Sequence, residues 1–455
     1  MQKVKHMAKR LKEAKAGFSD SEFLKACAAL TGEAEEDSKR DRAFKTILMP
    51  YTSLGTGFAT ELRETVEKTE KRTRARKDKD QETFIRQVEC MTANLIHRYL
   101  SQTEEEAEED NEGWIHVSQS KTAKSIYSAP VMGKTLPKLI KTLAALGLID
   151  YINGTKSSNP AKRRQTTIRA SETLIERIDN YGLTINDLCD QGEGQVIILK
   201  SARVDHWGSP KRIEYPDTVE TIQHRERVRR IHDNLVHADI AFNGLSEKGV
   251  VPVHMRRLLR IFNNGSFRHG GRLFGGFWQG LKKHERKRIR INGSPVKTID
   301  YGQIGPRIMY GMANVTIRFD DAYEVPGFTS KERDGIKKVF NAMCYASKRP
   351  EKFPRETKDL FPKGTKVGSV VDAILKAHSP IAHMFFSGQG LQAMFMESEI
   401  LLSVLDTLME CNILGLPIHD AIVVEESYST QVRDIMEATF KESMDIHIPV
   451  SIEDD

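Results

Sequence analysis

The stretch T-I-D-Y-G-Q-I-G-P-R-I-M-Y, residues Thr298 to Tyr310, decides how this chain is read. A β-branched, apolar approach (Val296, Thr298, Ile299) runs into one carboxylate, Asp300, and a helical pattern follows through Ile304, Arg307, Ile308 and Met309. A carboxylate at the end of a buried strand is costly unless positive charge sits against it. A divalent metal ion meets that need, and L-P-I-H-D-A-I-V-V (Leu416 to Val424) offers a second carboxylate, Asp420, with His419 at the tip of an apolar hairpin.

Working outward, 455 residues at 39% hydrophobic content suffice for several cored domains. The net charge of +6 is the small difference of 69 basic and 63 acidic residues, so its distribution matters more than its sum. Basic clusters near 71–78, 156–164, 225–230 and 282–290 suit a polyanion, although any one of them also reads as a solvated face. Five scattered cysteines with no C-x-x-C pair argue against a zinc site or a disulfide framework. With neither a signal peptide nor a membrane-spanning run in the pattern, a cytoplasmic protein without membrane contact is expected.

Residues 1–110 read as a charged helical N-terminal region with thin apolar stripes, Phe23-Leu24-Cys27-Leu30 and Phe84-Val88-Met91-Leu95. The acidic run Glu104 to Glu112 marks a boundary. Beyond it come a strand (Trp114 to Val117), a helix around 121–128 and a second helix carrying Leu136, Leu139, Ile140, Leu143 and Leu146. Gly147 is placed to end that helix in a left-handed conformation. A strand from Leu148 to Ile152, a basic loop and a returning strand from Thr166 to Ala170 complete the segment. This order over 111–180 resembles the winged helix-turn-helix family. The resemblance implies that Lys134, Lys138 and Lys141 on the second helix face a DNA duplex while Lys156, Arg163 and Arg164 on the wing touch phosphates. Protein contact is the other use of such a module.

Residues 181–260 read as a connecting β/α region whose helix from about 218 to 240 carries Arg225, Arg227, Arg229 and Arg230. That helix either packs with a charged face or lines a duplex channel. In N-G-S-F-R-H-G-G-R-L-F-G-G-F-W-Q (Asn264 to Gln279), glycine pairs between Arg268 and Arg272 permit close approach of another backbone. A phosphate backbone and a tight structural hairpin are both consistent with it. The glycines do not fit a G-x-x-x-x-G-K-[ST] phosphate loop.

Three blocks share one resemblance. D-Y-G-Q-I-G-P-R (Asp300 to Arg307) resembles motif A of family A DNA polymerases, usually D-Y-S-Q-I-E-L-R. Arg333, Lys337, Asn341 and Tyr345 recur at every fourth position, one stripe of a helix. That register resembles the fingers helix of those enzymes and of the related single-subunit phage-type RNA polymerases. His419-Asp420, preceded by Gln392 and Glu397 on an amphipathic helix, is similar to motif C.

The resemblance, which covers about 261–455, implies an α+β right-hand palm with an antiparallel sheet and helical fingers. It implies a template-directed nucleotidyltransferase in which Asp300 and Asp420 hold two magnesium ions, with manganese as an alternative. Lys337 and Arg333 would neutralise the departing pyrophosphate. Asn341, Tyr345, Tyr301 and Gly305 would line the nucleotide. His419, Arg307, Gln392, Arg268 and Arg272 would touch nucleic acid. Gly305 stands where the DNA enzymes carry a glutamate that blocks a 2′-hydroxyl and the RNA enzymes carry glycine, so both sugars remain open. Asn341 replaces an aromatic residue and Ala346 a glycine. Expected partners are DNA as duplex and single strand, RNA, nucleoside triphosphates and other replication proteins of a phage, plasmid or mobile element. The rival expectation is a non-catalytic DNA-binding replication initiator or regulator with a relic palm.

Overall fold

A computed structural model describes residues 43–453 except 71, 102–112, 118–124, 128, 130, 156–163, 191–193, 203–209 and 248. The Phe23 stripe, the acidic run, Lys156 and Arg163 therefore lie outside the described residues. The chain divides into two compact units, one of residues up to 123 with 129–188 and one of 124–128 with 189–455.

In the first unit, helix α1 (Ser53–Thr69) begins at Thr52, whose hydroxyl accepts the Gly55 N–H. Helix α2 (Asp78–Leu100) buries Phe84, Val88, Met91 and Leu95, the stripe its spacing predicts. Strand β1 (Ile115–Val117), helix α3 (Leu136–Ala145), strands β2 (Ile149–Ile152) and β3 (Thr166–Ala170) and helix α4 (Glu172–Tyr181) follow, the strands forming an antiparallel sheet in the order β1-β3-β2. Pro137 occupies the first turn of α3, where its missing N–H costs nothing. Gly147, at φ +68°, ends the helix as expected, and the Leu148 N–H closes back on the Leu143 carbonyl at 3.0 Å. Buried Gln87 of α2 fastens the start of α3 by accepting from Thr135 Oγ1 at 2.8 Å and donating to the Val131 carbonyl at 3.0 Å. Most of the helix expected over 121–128 is outside the described residues, and Ser125 to Tyr127 form a turn.

The second unit is mixed α and β around one continuous core. Strands β4 (Ile197–Leu199), β6 (Leu259–Asn263) and β7 (Ser266–Phe274) make a small sheet in that order. The larger sheet runs β10 (Leu416–Ile418), β11 (Ala421–Glu425), β9 (Ser294–Tyr301), β8 (Ile289–Ile291), β5 (Ile240–Phe242), and β12 (Val450–Glu453) pairs antiparallel with β9. Helices α5 (Val219–Val236), α6 (Ile304–Met312), α7 (Arg333–Tyr345), α8 (Val367–Ala377), α9 (Gly390–Glu410) and α10 (Ser429–Met444) cover the sheets. Trp278 is fully buried, and its indole N–H donates to the Pro417 carbonyl at 2.9 Å.

Two segments with open sequence readings pack against α9. The glycines of β7 admit α9: a Cβ on Gly271, at φ +80°, would lie 2.8 Å from Ser398 Oγ. The arginine-rich helix α5 packs through its charges, because Arg227 bonds Asp406 at 2.7 Å and Glu399 at 3.0 Å while Arg230 reaches Asp406 at 2.6 Å. Fully buried Arg260 joins the same network through Glu399 and Ser398.

The network contains a proton-sensitive member. His224 lies against the Phe262 ring, and its Nδ1 accepts from Arg260 Nη1 at 2.9 Å, which requires a neutral imidazole. Burial, then the Arg260 charge, pushes its pKa from 6.5 down to about 4. Because the folded value lies below the unfolded one, the stabilisation is complete above pH 6.5 and fades as pH falls toward 4. In denaturant titrations, the stability advantage of the wild type over His224→Phe should shrink between pH 7 and pH 5. A pH-independent difference would remove His224 from the acid response.

Candidate active site

Strand register builds the site. In β9, Asp300 stands opposite Ala421 of β11, and the Tyr301 N–H reaches the Asp420 carbonyl at 3.3 Å. Ile418 pairs with Ala421, so His419 and Asp420 are the whole two-residue loop of the hairpin, with His419 at φ +54°. The two expected carboxylates are thereby neighbours at one end of the sheet. Burial, then the charges of Asp420 and Glu453, pushes the Asp300 carboxyl from 3.8 up to about 7, while Lys337 and Lys283 pull it back. Those five side chains thus share one electrostatic neighbourhood.

Helix α7 faces this point. Val339, Phe340 and Met343 anchor its buried side, leaving Lys337, Asn341 and Tyr345 exposed and Arg333 half-buried. Gly305, in the first turn of α6, looks toward α7 across open space: a Cβ there would find only Asn341 Oδ1, at 4.0 Å. Arg333 is held by Asp321 at 2.5 Å and lies over the Tyr323 ring.

Tyr345 rests on the first residue of α9. A Cβ on Gly390 would come within 2.6 Å of the Tyr345 ring and 2.9 Å of the Cys344 carbonyl, both too close to accept. Gly390→Ala should therefore displace Tyr345 or the start of α9. Overpacking of this kind costs about 1–3 kcal/mol, to be read as a lowered melting temperature. An unchanged melting temperature would show that the start of α9 yields to the added methyl group.

Arg272 is bound to Glu397 through two bonds of 2.6 and 2.9 Å, and its charge acts on Tyr345 and Asp420. Glu397 is buried, so Arg272 is a fixed charge rather than a roaming one. His419 packs edge-on to Phe274, and burial, then Arg272, lowers its pKa, favouring the neutral ring. Gln392 is exposed on α9, and Arg268 is exposed with Glu220 at 3.2 Å.

Two residues expected at the nucleotide or primer lie elsewhere. Tyr301 follows Asp300 by one residue in a strand, so it points to the other face; it is 3% exposed and its hydroxyl donates to the Met436 carbonyl at 2.8 Å. Arg307 is buried on α6, donating to the carbonyls of His447 at 2.8 Å and Asp320 at 3.0 Å. Glu453 is the residue that sequence reasoning did not find. It pairs in register with Thr298, two residues before Asp300, and accepts from Lys283 Nζ at 2.8 Å. Only the pairing of β12 with β9 brings it here, and no local pattern announces that pairing.

Among the described residues no three His, Cys, Asp or Glu side chains converge at metal-ligand spacing. Two hard carboxylates whose charges oppose each other nevertheless suit magnesium or manganese, which commonly take one or two carboxylates and complete their shell with water and substrate phosphate. No helix among the described residues is long and apolar enough to cross a membrane.

No family model and no curated protein sequence matches the chain. Among solved structures, the POL domain of Pol1 from M. smegmatis, in complex with DNA primer-template and dNTP, is similar at 13% identity and a TM-score of 0.30. The match covers 51% of this chain and 51% of that one, so this chain spans about half the length of its neighbour, at a likeness below the level that defines a shared fold.

Proposed function

We propose that the second unit is a template-directed nucleotidyltransferase and the first a winged-helix module that binds duplex DNA. The observation that carries the first reading is the register Asp300 to Ala421, which sets two carboxylates side by side before the exposed Lys337 and Asn341 of α7. The reaction is in-line attack of a 3′-hydroxyl on the α-phosphorus of a nucleoside triphosphate, with pyrophosphate leaving. Asp300 and Asp420 would hold two magnesium ions, with manganese as an alternative, which would supply stabilisation of negative charge on the attacking and leaving oxygens. Lys337, on the exposed face of α7, neutralises the triphosphate, and Arg272 keeps a fixed positive charge beside Asp420. Asn341 and Gly305 bound the space for base and sugar, and Tyr345 on its Gly390 seat limits that space. His419, Gln392 and Arg268 guide the nucleic acid.

For the first unit, Lys134, Lys138 and Lys141 are exposed on and just before α3, whose Leu136, Leu139, Ile140 and Leu143 face inward. A helix anchored in this way with lysines outward suits a major groove, and Arg164 stands at the described edge of the wing.

The test is incorporation on a labelled primer, and without primer, over DNA and RNA templates with ribonucleotides and deoxyribonucleotides supplied separately. Magnesium-dependent extension is expected in at least one combination. No incorporation in any of them, with DNA binding intact, leaves the non-catalytic initiator as the reading.

A further inference from the structure

We propose that the described residues of the loop between α1 and α2, 70 and 72–77, are part of the duplex-binding surface of the first unit, with Arg72, Arg74 and Lys77 contacting phosphates beside α3. The inference rests on the reading of α3 as a DNA-facing helix and extends it to a segment outside the helix-and-wing pattern. Glu70, the residue that ends α1, provides the geometry. Its carboxylate lies 3.5 Å from Lys138 Nζ of α3, 3.3 Å from Arg72 Nη1, and in contact with Arg76. The loop therefore lies against α3 rather than apart from it.

The loop is also held in shape. Arg76 is the buried member: it stacks on the Phe84 ring at 3.6 Å, reaches Gln81 at 3.2 Å and lies 3.6 Å from Glu67. With 8% of its side chain exposed, Arg76 is a fastener and not a DNA contact. Arg72, Arg74 and Lys77, by contrast, are exposed. Through Glu70, nearly buried itself, the exposed Arg72 and Lys138 meet from two segments far apart in sequence, and exposed Arg74 and Lys77 flank the first as Lys134 and Lys141 flank the second. Burial alone would raise the pKa of Glu70, but Arg72, Arg76 and Lys138 more than reverse this, so it stays charged.

A phosphate near Lys138 competes with Glu70 for the same ammonium group. Two opposite effects follow. Removing loop cations should weaken binding and flatten its salt dependence, whereas neutralising Glu70 should strengthen binding by freeing Lys138.

The experiment is fluorescence anisotropy of the full chain on a labelled duplex of about 30 bp over a salt series. Each lost phosphate contact lowers the slope of log K against log salt by about 0.9, so Arg72→Ala/Arg74→Ala/Lys77→Ala together should lower it by about 2–3. The affinity at moderate salt should fall about tenfold or more. Glu70→Gln, which keeps hydrogen-bonding capacity toward Arg76, should bind several-fold tighter. Melting temperatures of all variants show that the fold survives. An unchanged slope for the loop variant while Lys134→Ala/Lys141→Ala loses slope overturns this proposal and leaves α3 as the DNA helix. If neither variant changes the slope, the DNA-binding reading of the whole unit falls with it.

Discussion

Asp420→Asn should reduce magnesium-dependent nucleotide incorporation by about three orders of magnitude or more, the scale on which removing an electrostatic partner of a phosphoryl-transfer centre acts. The substitution is nearly isosteric, and the main-chain carbonyl of residue 420, which accepts the Tyr301 N–H, is untouched. The hairpin loop should therefore persist. Asp300→Asn should be equally inactive, yet it should not destabilise the protein. The Asp300 carboxyl, pushed up to about 7, resists ionisation because it is buried and faces Asp420 and Glu453. A folded-state pKa above the unfolded one means that stability declines as pH rises through 7, and asparagine removes that decline. At pH 8 and low divalent metal, Asp300→Asn should melt at or above the wild-type temperature while failing to extend a primer. Incorporation within tenfold of wild type for either variant would refute the two-carboxylate mechanism.

The second large effect concerns sugar choice. Gly305→Glu should lower the ribonucleotide-to-deoxyribonucleotide incorporation ratio by one to two orders of magnitude, about 1.4–2.8 kcal/mol of discrimination. Nothing obstructs the new side chain at its root, since Asn341 Oδ1 at 4.0 Å is the nearest atom to a Cβ there. Its carboxylate would extend into the gap before α7, where the sugar is proposed to lie. Position 305 is in the first turn of α6, so glutamate also replaces a poor helix former and complements the helix dipole. Stability should rise by roughly 0.5–1 kcal/mol, which separates a steric effect on the sugar from damage to the fold. An unaltered ratio in a well-folded variant would discard the steric account.

Much of the site could be read from the chain because its signals are local. The apolar approach to Asp300, the four-residue period of α7 and the symmetric apolar runs around His419-Asp420 each occupy a short window and each form the expected element. Tyr301 shows where resemblance and physics diverge: motif matching sends it to the nucleotide, while strand alternation sends it into the core against α10. The α5 arginines were ambiguous because their neutralising partners, Glu399 and Asp406, lie about 170 residues away. Glu453 and the seat of Tyr345 on Gly390 were invisible for the same reason, being products of tertiary register rather than of spacing.

The pairing of β12 with β9 carries a consequence for when this protein becomes competent. The strand that bears Asp300 is flanked on one edge by Ala421–Glu425 and on the other, along Thr298 to Tyr301, by Val450 to Glu453. These contacts span about 150 residues, so loop-closure entropy delays them until the far segment exists. During synthesis the first unit, whose residues end at 188, can fold while the sheet around Asp300 is still open. A nascent chain short of residue 450 has not closed the strand on which Asp300 stands, so the proposed nucleotidyl transfer would become possible only after the proposed duplex-binding unit has formed.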